Sequence, residues 1–407
     1  MARIAIYSVT APLGGHLRSA LTIALELSSR GHDVRFITSE GPGAGLVRKS
    51  GIPHFILPSN PLKSDDFYWR DYLPLKKYIH DLRPHIIHTF LKGIPQLALI
   101  GRGTGSKLVA TICGGKPHKF FPKMSPTTVF SEELRQWLLS RGVPDQYIYV
   151  IPGRMNLRIP DRDEDVDIFL EKHGLAADTS PLIFMICRTD KMKVLERFFL
   201  AAELFSRQNN LGAFIHIGAG NTYWGKQEES VRQMAVAVNE RAGRKVLVST
   251  DCGSNQPVKF LHLATVVAGM GRTAFEAMAM GKPTLILSNE GFGGLVCLSE
   301  IEQIAKFNFT ARHLSQRDVS PEYSAQRFVE AVQKLLQDQF LYDEVAAFGR
   351  KYYTDELDVS KAVDRYEEIY FAQNIRYDLP GMIDMCYAVG REFARIPWHC
   401  IQSLNRR

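Results

Sequence analysis

With 407 residues, 45% apolar and 23% charged, the chain is long enough for two cores of about 150–200 residues each and too apolar for wholesale disorder. Its six cysteines are scattered with no C-x-x-C pair, which excludes a zinc framework or disulfide scaffold and points to a reducing compartment. The net charge of +7 favours contact with phosphate on a nucleotide, a lipid head group or a nucleic acid; without a zinc finger, an RNA-binding aromatic motif or a dense basic arm, nucleic acid is set aside.

The N-terminus runs straight into a strand at Arg3–Val9 and lacks the features of a signal peptide. No apolar run approaches the ~18–20 residues that span a bilayer, so a cytoplasmic protein is expected. The first strand-to-helix connection carries Gly14 and Gly15, which allow close backbone approach, and a helix N-terminus that offers N–H groups to an anion or a sugar hydroxyl. It is not a G-x-G-x-x-G fingerprint, which disfavours a nicotinamide dinucleotide. His16 stands where a general base could work, or where it simply caps the loop. The helix pattern of Leu17, Leu21, Ile23, Ala24 and Leu27 ends at Gly31. Strands follow at Val34–Thr38, His54–Leu57, His85–Phe90, Lys107–Cys113, Thr127–Phe130 and Ile148–Ile151.

A polar stretch near Pro160–Asp167 interrupts this rhythm. Its overlapping D-x-D patterns read as a solvated helix start rather than a metal site. The alternation resumes with strands at Leu182–Cys187, Ala213–Ile217, Lys245–Ser249, Thr265–Ala268 and Thr284–Leu287. Two doubly wound α/β units with parallel sheets are expected: 1–158, an acceptor-binding domain, and 159–353, a nucleotide-binding domain. Helices over 354–407, clearest at Tyr353–Gln373, would pack back on the first. The ligand site is expected in a cleft between the two domains.

Arg188 and Lys193 lie where a strand gives way to a helix; a planar fork beside a compact charge suits a diphosphate. Gly218 ends another strand in a backbone-approach loop. The stretch Val266–Ile286 predicts a strand ending in Gly269-Met270-Gly271 and a helix opening at Arg272-Thr273, an anion-binding nest. Glu276, one turn in, can accept both hydroxyls of a nucleotide ribose or only complement the helix dipole. Glu290, Gly291, Phe292 and Gly293 form a glycine-rich transition that either shapes a sugar pocket or makes a turn.

In chain order the segments GGHLR, SRGHDV, RPHIIH, SEELRQWLLSRGVP, YVIPG, CRTDKMK, HIGAG and FEAMAMGKP resemble glycosyltransferase family 4. The resemblance implies the GT-B fold of two Rossmann-like domains and transfer of a sugar from a nucleotide-diphosphate donor, UDP first. The acceptor would be a hydroxyl, possible carriers being a small molecule, a polysaccharide precursor or a lipid-linked glycan. It further implies retention at the anomeric carbon, with no DXD-bound metal and no cofactor. Arg188 and Lys193 would bind the diphosphate, Glu276 the ribose, and Gly14 and Gly15 would line the N-terminal side. His88 and Cys113, at or near positions where the family carries histidines, are assigned to the sugar or acceptor pocket. The first of the family's paired glutamates is replaced by Ala268, and a second strand histidine by Phe90.

The opening PLGGHLRSALTIALELSSRGHDV is also similar to the lipid-linked N-acetylglucosaminyltransferase of peptidoglycan synthesis, which inverts; His16 would then be the base. A catalytically silent nucleotide-sugar-binding module is the alternative outside enzymes, and a sugar-nucleotide epimerase the one within them. The tail GMIDMCYAVGREFARIPWHCIQSLNRR mixes aromatic and arginine residues, so it suits either peripheral membrane contact or packing on the first domain.

Overall fold

The computed structural model describes residues 1–8, 15–41, 43–57, 69–91, 93–114, 125–156, 164–175, 179–209, 211–218, 227–242, 247–251, 257–315, 317 and 319–372. Gly14, Asp161–Asp163 of the acidic stretch, and the C-terminal tail lie outside them. The chain forms two compact units, Met1–Asn156 together with Asp358–Arg407, and Leu157–Leu357.

In the first unit β1 (Arg3–Ser8), α1 (Gly15–Ser29), β2 (Asp33–Ser39), α2 (Ala44–Lys49), β3 (His54–Leu57) and α3 (Trp69–Leu82) come first. They are followed by β4 (Ile86–Phe90), α4 (Ile94–Thr104), β5 (Lys107–Ile112), β6 (Thr127–Val129), α5 (Glu132–Ser140) and β7 (Ile148–Val150). The sheet order is β3-β2-β1-β4-β5-β6-β7. Each strand is parallel to its neighbours. β1 is buried at every residue after the first and β4 at all of its residues, as expected of strands covered on both faces by helices. Because β2 and β4 flank β1 on opposite sides, the winding direction reverses between β1 and β4. Ligands of such sheets bind beyond the carboxyl ends at that point.

The second unit repeats the plan with α6 (Glu164–Lys172), β8 (Leu182–Cys187), α7 (Met192–Ser206), β9 (Ala213–Gly218), α8 (Glu228–Arg241) and β10 (Leu247–Asp251). It continues with β11 (Val266–Gly269), α9 (Arg272–Ala279), β12 (Thr284–Ser288) and β13 (Gly291–Leu295), then α10 (Ile301–Lys306), α11 (Pro321–Gln337) and α12 (Gln339–Tyr352). The order is β10-β9-β8-β11-β12-β13, so its winding reverses between β8 and β11. The core on one face packs Phe198, Phe199 and Phe205 of α7 and Phe214 of β9 with Phe328 of α11.

Two local expectations are corrected. The glycine-rich run after β12 is a strand, β13, paired antiparallel to β12 across a short turn. The single helix expected over Tyr353–Gln373 is interrupted: a π-helical turn covers Tyr353–Leu357, and α13 (Val359–Phe371) starts afresh. Asp358 causes the break. It has extended backbone and its side chain accepts from Ser360 N at 2.8 Å, a cap that competes with helix continuation.

From there α13 returns to the first unit. Val359, Ala362, Val363, Tyr366, Ile369 and Tyr370 are buried against Ile4, Ile6, Leu27 and Phe90. Polar contacts fix its rotation: Arg30 donates through Nη1 to Asp364 at 2.6 Å and Glu367 at 2.8 Å, and through Nη2 to the Ser360 carbonyl at 2.7 Å. At the far end the Lys107 ammonium donates to the carbonyls of Ile369 at 2.5 Å and Ala372 at 3.1 Å, a cation on the last turn where the helix dipole favours one. Among the described residues no helix is long and apolar enough to cross a membrane.

Candidate functional site

At the winding reversal of the second unit, β8 hands over to α7 through a tight turn in which Lys191 N donates to the Arg188 carbonyl at 3.1 Å. Arg188 follows the last buried residue of the strand, and its side chain is about one-third exposed. Its Nε and Nη2 donate to the two carboxylate oxygens of Asp190, at 2.9 and 2.7 Å. Lys193, in the first turn of α7, is exposed.

Beside it, β11 ends at Gly269. A Cβ at this position would lie 2.8 Å from the Thr273 methyl carbon, so only glycine lets the strand and the start of α9 approach this closely. Gly271 caps α9 with φ +53 and ψ −119, a conformation side chains rarely adopt. Its amide, expected to face an anion, instead donates to the Phe309 carbonyl at 2.8 Å. The amides left without intrahelical acceptors at this terminus are the first ones of α9 itself, from Arg272 onward.

Thr273 does not face a ligand through its hydroxyl. Oγ1 donates to the Ile186 carbonyl at 3.0 Å and ties the start of α9 to β8, bringing the Arg188 turn and the α9 terminus onto one sheet edge. Glu276, largely buried, accepts from Arg272 Nε at 2.9 Å. The expected ribose acceptor and the arginine beside it are thus partners of each other.

Gly218, the last residue of β9, lies in register with Cys187. Sequence reasoning passed over its neighbour His216. This side chain is fully buried, with Nε2 3.1 Å from the Cys187 carbonyl and Nδ1 2.8 Å from Thr250 Oγ1. A carbonyl only accepts, so Nε2 carries the hydrogen and Nδ1 accepts from Thr250. Three strand ends are thereby locked together beneath Arg188. The only signal was the histidine in HIGAG, whose partners lie 29 and 34 residues away.

The other residues assigned to a pocket in this unit make the following contacts. Phe292 packs on the core, edge-on to Phe328 with centroids 6.1 Å apart. Gly291 and Gly293 are required by packing, since a Cβ would come within 3.0 Å of Ser324 Oγ and 2.9 Å of Ile286 respectively. Glu290, in the turn, accepts from the Ser288 hydroxyl at 2.6 Å.

In the first unit, Gly15 and His16 open α1 just beyond the loop that leaves β1; Gly15 is exposed and His16 partly so. His88 is not a pocket residue. It is fully buried under α13, with Nδ1 2.6 Å from the Tyr370 hydroxyl and Nε2 2.6 Å from Thr111 Oγ1. Burial pulls its pKa down to about 3. Cys113 follows β5; burial pushes its thiol up to about 12 against the opposing charge of Arg154, so it is not a nucleophile at neutral pH. Arg154 lies over the Phe130 ring at 4.3 Å. Among the described residues no group of three His, Cys, Asp or Glu could hold a metal ion.

These histidines make a pH prediction. Burial also lowers His216, to about 4. Both folded pKa values lie below the free value, so folding favours the neutral rings. Their contribution is fully present above about pH 6.5 and is lost as pH falls toward about 4 and about 3. The loss is up to ~1.4 kcal/mol per pH unit per histidine. Urea midpoints should fall steadily between about pH 6.5 and 5, before carboxylates titrate; a flat midpoint there would contradict this account.

Residues 13–157 match Glycosyltransferase Family 4. No curated protein matches the chain in sequence. Many solved structures share its architecture, three of which follow. A glycosyltransferase from Rickettsia africae is 17% identical with TM-score 0.68, covering 90% of this chain and 97% of that one. HepE of Anabaena, in complex with UDP and glucose, is 12% identical with TM-score 0.65, covering 91% and 100%. Sucrose-phosphate synthase from Thermosynechococcus elongatus is 17% identical with TM-score 0.61, covering 91% and 98%. Residues 13–157 thus resemble glycosyltransferase family 4, and the two units of the chain have the GT-B fold.

Proposed function

We propose that the protein transfers a sugar from a nucleoside-diphosphate sugar, UDP-linked, to an acceptor hydroxyl. The observation that carries this reading is the Arg188 fork at the carboxyl end of β8, joined through Thr273 to the α9 terminus at the winding reversal. A family 4 match over the first unit and a structural relative holding UDP and glucose support it.

The chemical task is to stabilise charge that builds on the diphosphate as the bond from the anomeric carbon to phosphate oxygen breaks. Arg188, Lys193 and the first amides of α9 supply positive potential before the reaction begins. With retention, the acceptor oxygen bonds to the anomeric carbon on the face the diphosphate leaves, and its proton passes to the departing phosphate oxygen. No side-chain nucleophile is needed. With inversion, a base takes that proton on the opposite face; His16 at the head of α1 is the candidate.

We assign the acceptor to the first unit, with a lipid-linked or polysaccharide precursor as its class. The work would take place in the cytoplasm, with the tail beyond residue 372 as a possible membrane contact. The test is release of UDP or GDP from a panel of nucleotide sugars, followed by assignment of the product anomer. Nucleotide binding without turnover over a broad acceptor panel would instead identify a silent donor-binding module.

A further inference from the structure

Arg197, in the second turn of α7, is 6% exposed and is the one buried arginine among the described residues of the second unit. Arg207, Arg241 and Arg327 of this unit pair with Glu203 or Glu330 from positions more than half exposed, where water would carry their charge in any case. Arg197 has the opposite arrangement. Its hydrogen bonds among the described residues go to two carbonyls, from Nη1 to that of Lys193 at 2.8 Å and from Nη2 to that of Val319 at 3.3 Å. Its Nε is buried with no hydrogen-bond partner. A buried cation without a counter-ion costs stability, and an arginine, unlike a lysine, keeps its charge on burial. The bond to Lys193, four residues back, shows that the side chain runs toward the start of α7, the positive end of the helix dipole, where a further positive charge is disfavoured. An anion at the start of α7 would relieve both costs, and Lys193 stands there.

We propose that Arg197 is a positioning residue for the donor diphosphate, a permanently buried cation whose counter-charge arrives with the nucleotide. The inference rests on the donor reading above and deepens it. Arg188 and Lys193 reach solvent, so water and salt screen their attraction for a phosphate. A charge buried beside the first turn of α7 is screened far less. It is also fixed before the donor arrives, so no side-chain freedom is lost when the phosphate binds. The charge destabilises the empty protein and is compensated once diphosphate is bound, which links nucleotide affinity to stability. A residue kept only to staple α7 to the segment before α11 would not need a charge, since a neutral donor can bond a carbonyl.

Two substitutions separate charge from shape. Arg197→Met removes the charge and keeps an unbranched stem, so UDP should bind about tenfold more weakly by calorimetry, while the melting temperature of the ligand-free protein stays level or rises. Arg197→Lys keeps a charge and loses the fork, and should recover UDP affinity to within about threefold of wild type. UDP bound by Arg197→Met as tightly as by wild type overturns the inference and leaves the donor reading intact. So does a fall of more than about five degrees in the ligand-free melting temperature of Arg197→Met, which would mean that the fold already compensates the charge. Equal weakening in Arg197→Met and Arg197→Lys would make the arginine a staple defined by its shape, and overturns the inference as well. Failure of the wild type to bind UDP, GDP or ADP removes the donor reading, and this inference with it.

Discussion

Arg188→Glu should reduce UDP affinity by about 10²- to 10⁴-fold while leaving the melting temperature within a few degrees of wild type. The magnitude follows from the contact. A bidentate, charge-assisted grip on phosphate contributes roughly 1.5–3 kcal/mol relative to an unmade contact, and reversing the charge adds repulsion of similar size. Together they come to roughly 3–6 kcal/mol, or about two to four decades of affinity. The fold should tolerate the change, because the side chain is about one-third exposed and it ion-pairs with a neighbour two residues away. The new glutamate would, however, face Asp190, so Arg188→Lys is the better measure of geometry. It keeps the charge and loses the fork, and should weaken UDP by about 10- to 30-fold. Calorimetric titration of both variants checks this. An unchanged affinity in Arg188→Glu would move the diphosphate away from the end of β8.

Much of the second unit could be read from the chain because its chemistry is local. Strand, turn and helix follow one another within Leu182–Phe198 and again within Val266–Ile286, so Arg188 and the glycines before α9 announce their own placement. What escaped was the pairing of such segments with distant ones. Nothing near Gly271 says that its amide meets the carbonyl of Phe309, a residue held at positive φ on another loop. Nor does the run Gly291–Gly294 say that it pairs back on β12. Glycine normally argues against a strand, yet here it answers close packing against Ile286 and Ser324.

His88 is the clearest instance in the first unit. It sits in a parallel strand between Ile87 and Thr89, so alternation puts it on the same face as Ile86 and Phe90. Sequence shows that much, and the family resemblance assigns the side chain to a pocket. The deciding fact is that α13 covers that face and brings Tyr370, 282 residues away, to the ring nitrogen. A helix recruited from the end of the chain leaves no local mark on the strand it covers.

Removing residues 358–407 should therefore abolish cooperative folding of the first unit and spare the second. Val359, Val363, Tyr366, Ile369 and Tyr370 are each 4% exposed or less, and fully burying a large apolar side chain contributes about 1.5–3 kcal/mol. Losing five such side chains comes to roughly 8–15 kcal/mol, as much as the whole stability of a domain. The truncation also strips His88 of its hydroxyl partner and Arg30 of two carboxylates, leaving polar groups against an apolar face open to water. The second unit keeps its core, since none of those residues belongs to it. Calorimetry of the truncated chain should show one surviving transition, and limited proteolysis should leave a fragment near residues 157–357. Two retained transitions would show that α13 is dispensable. A finer test is possible at Tyr370. Tyr370→Phe should cost about 1–3 kcal/mol, because the buried imidazole keeps its requirement for a partner, whereas combining it with His88→Leu should cost less than the sum of the two single changes. Additive losses would mean that the hydrogen bond between them contributes nothing, and that α13 is held by its apolar face alone.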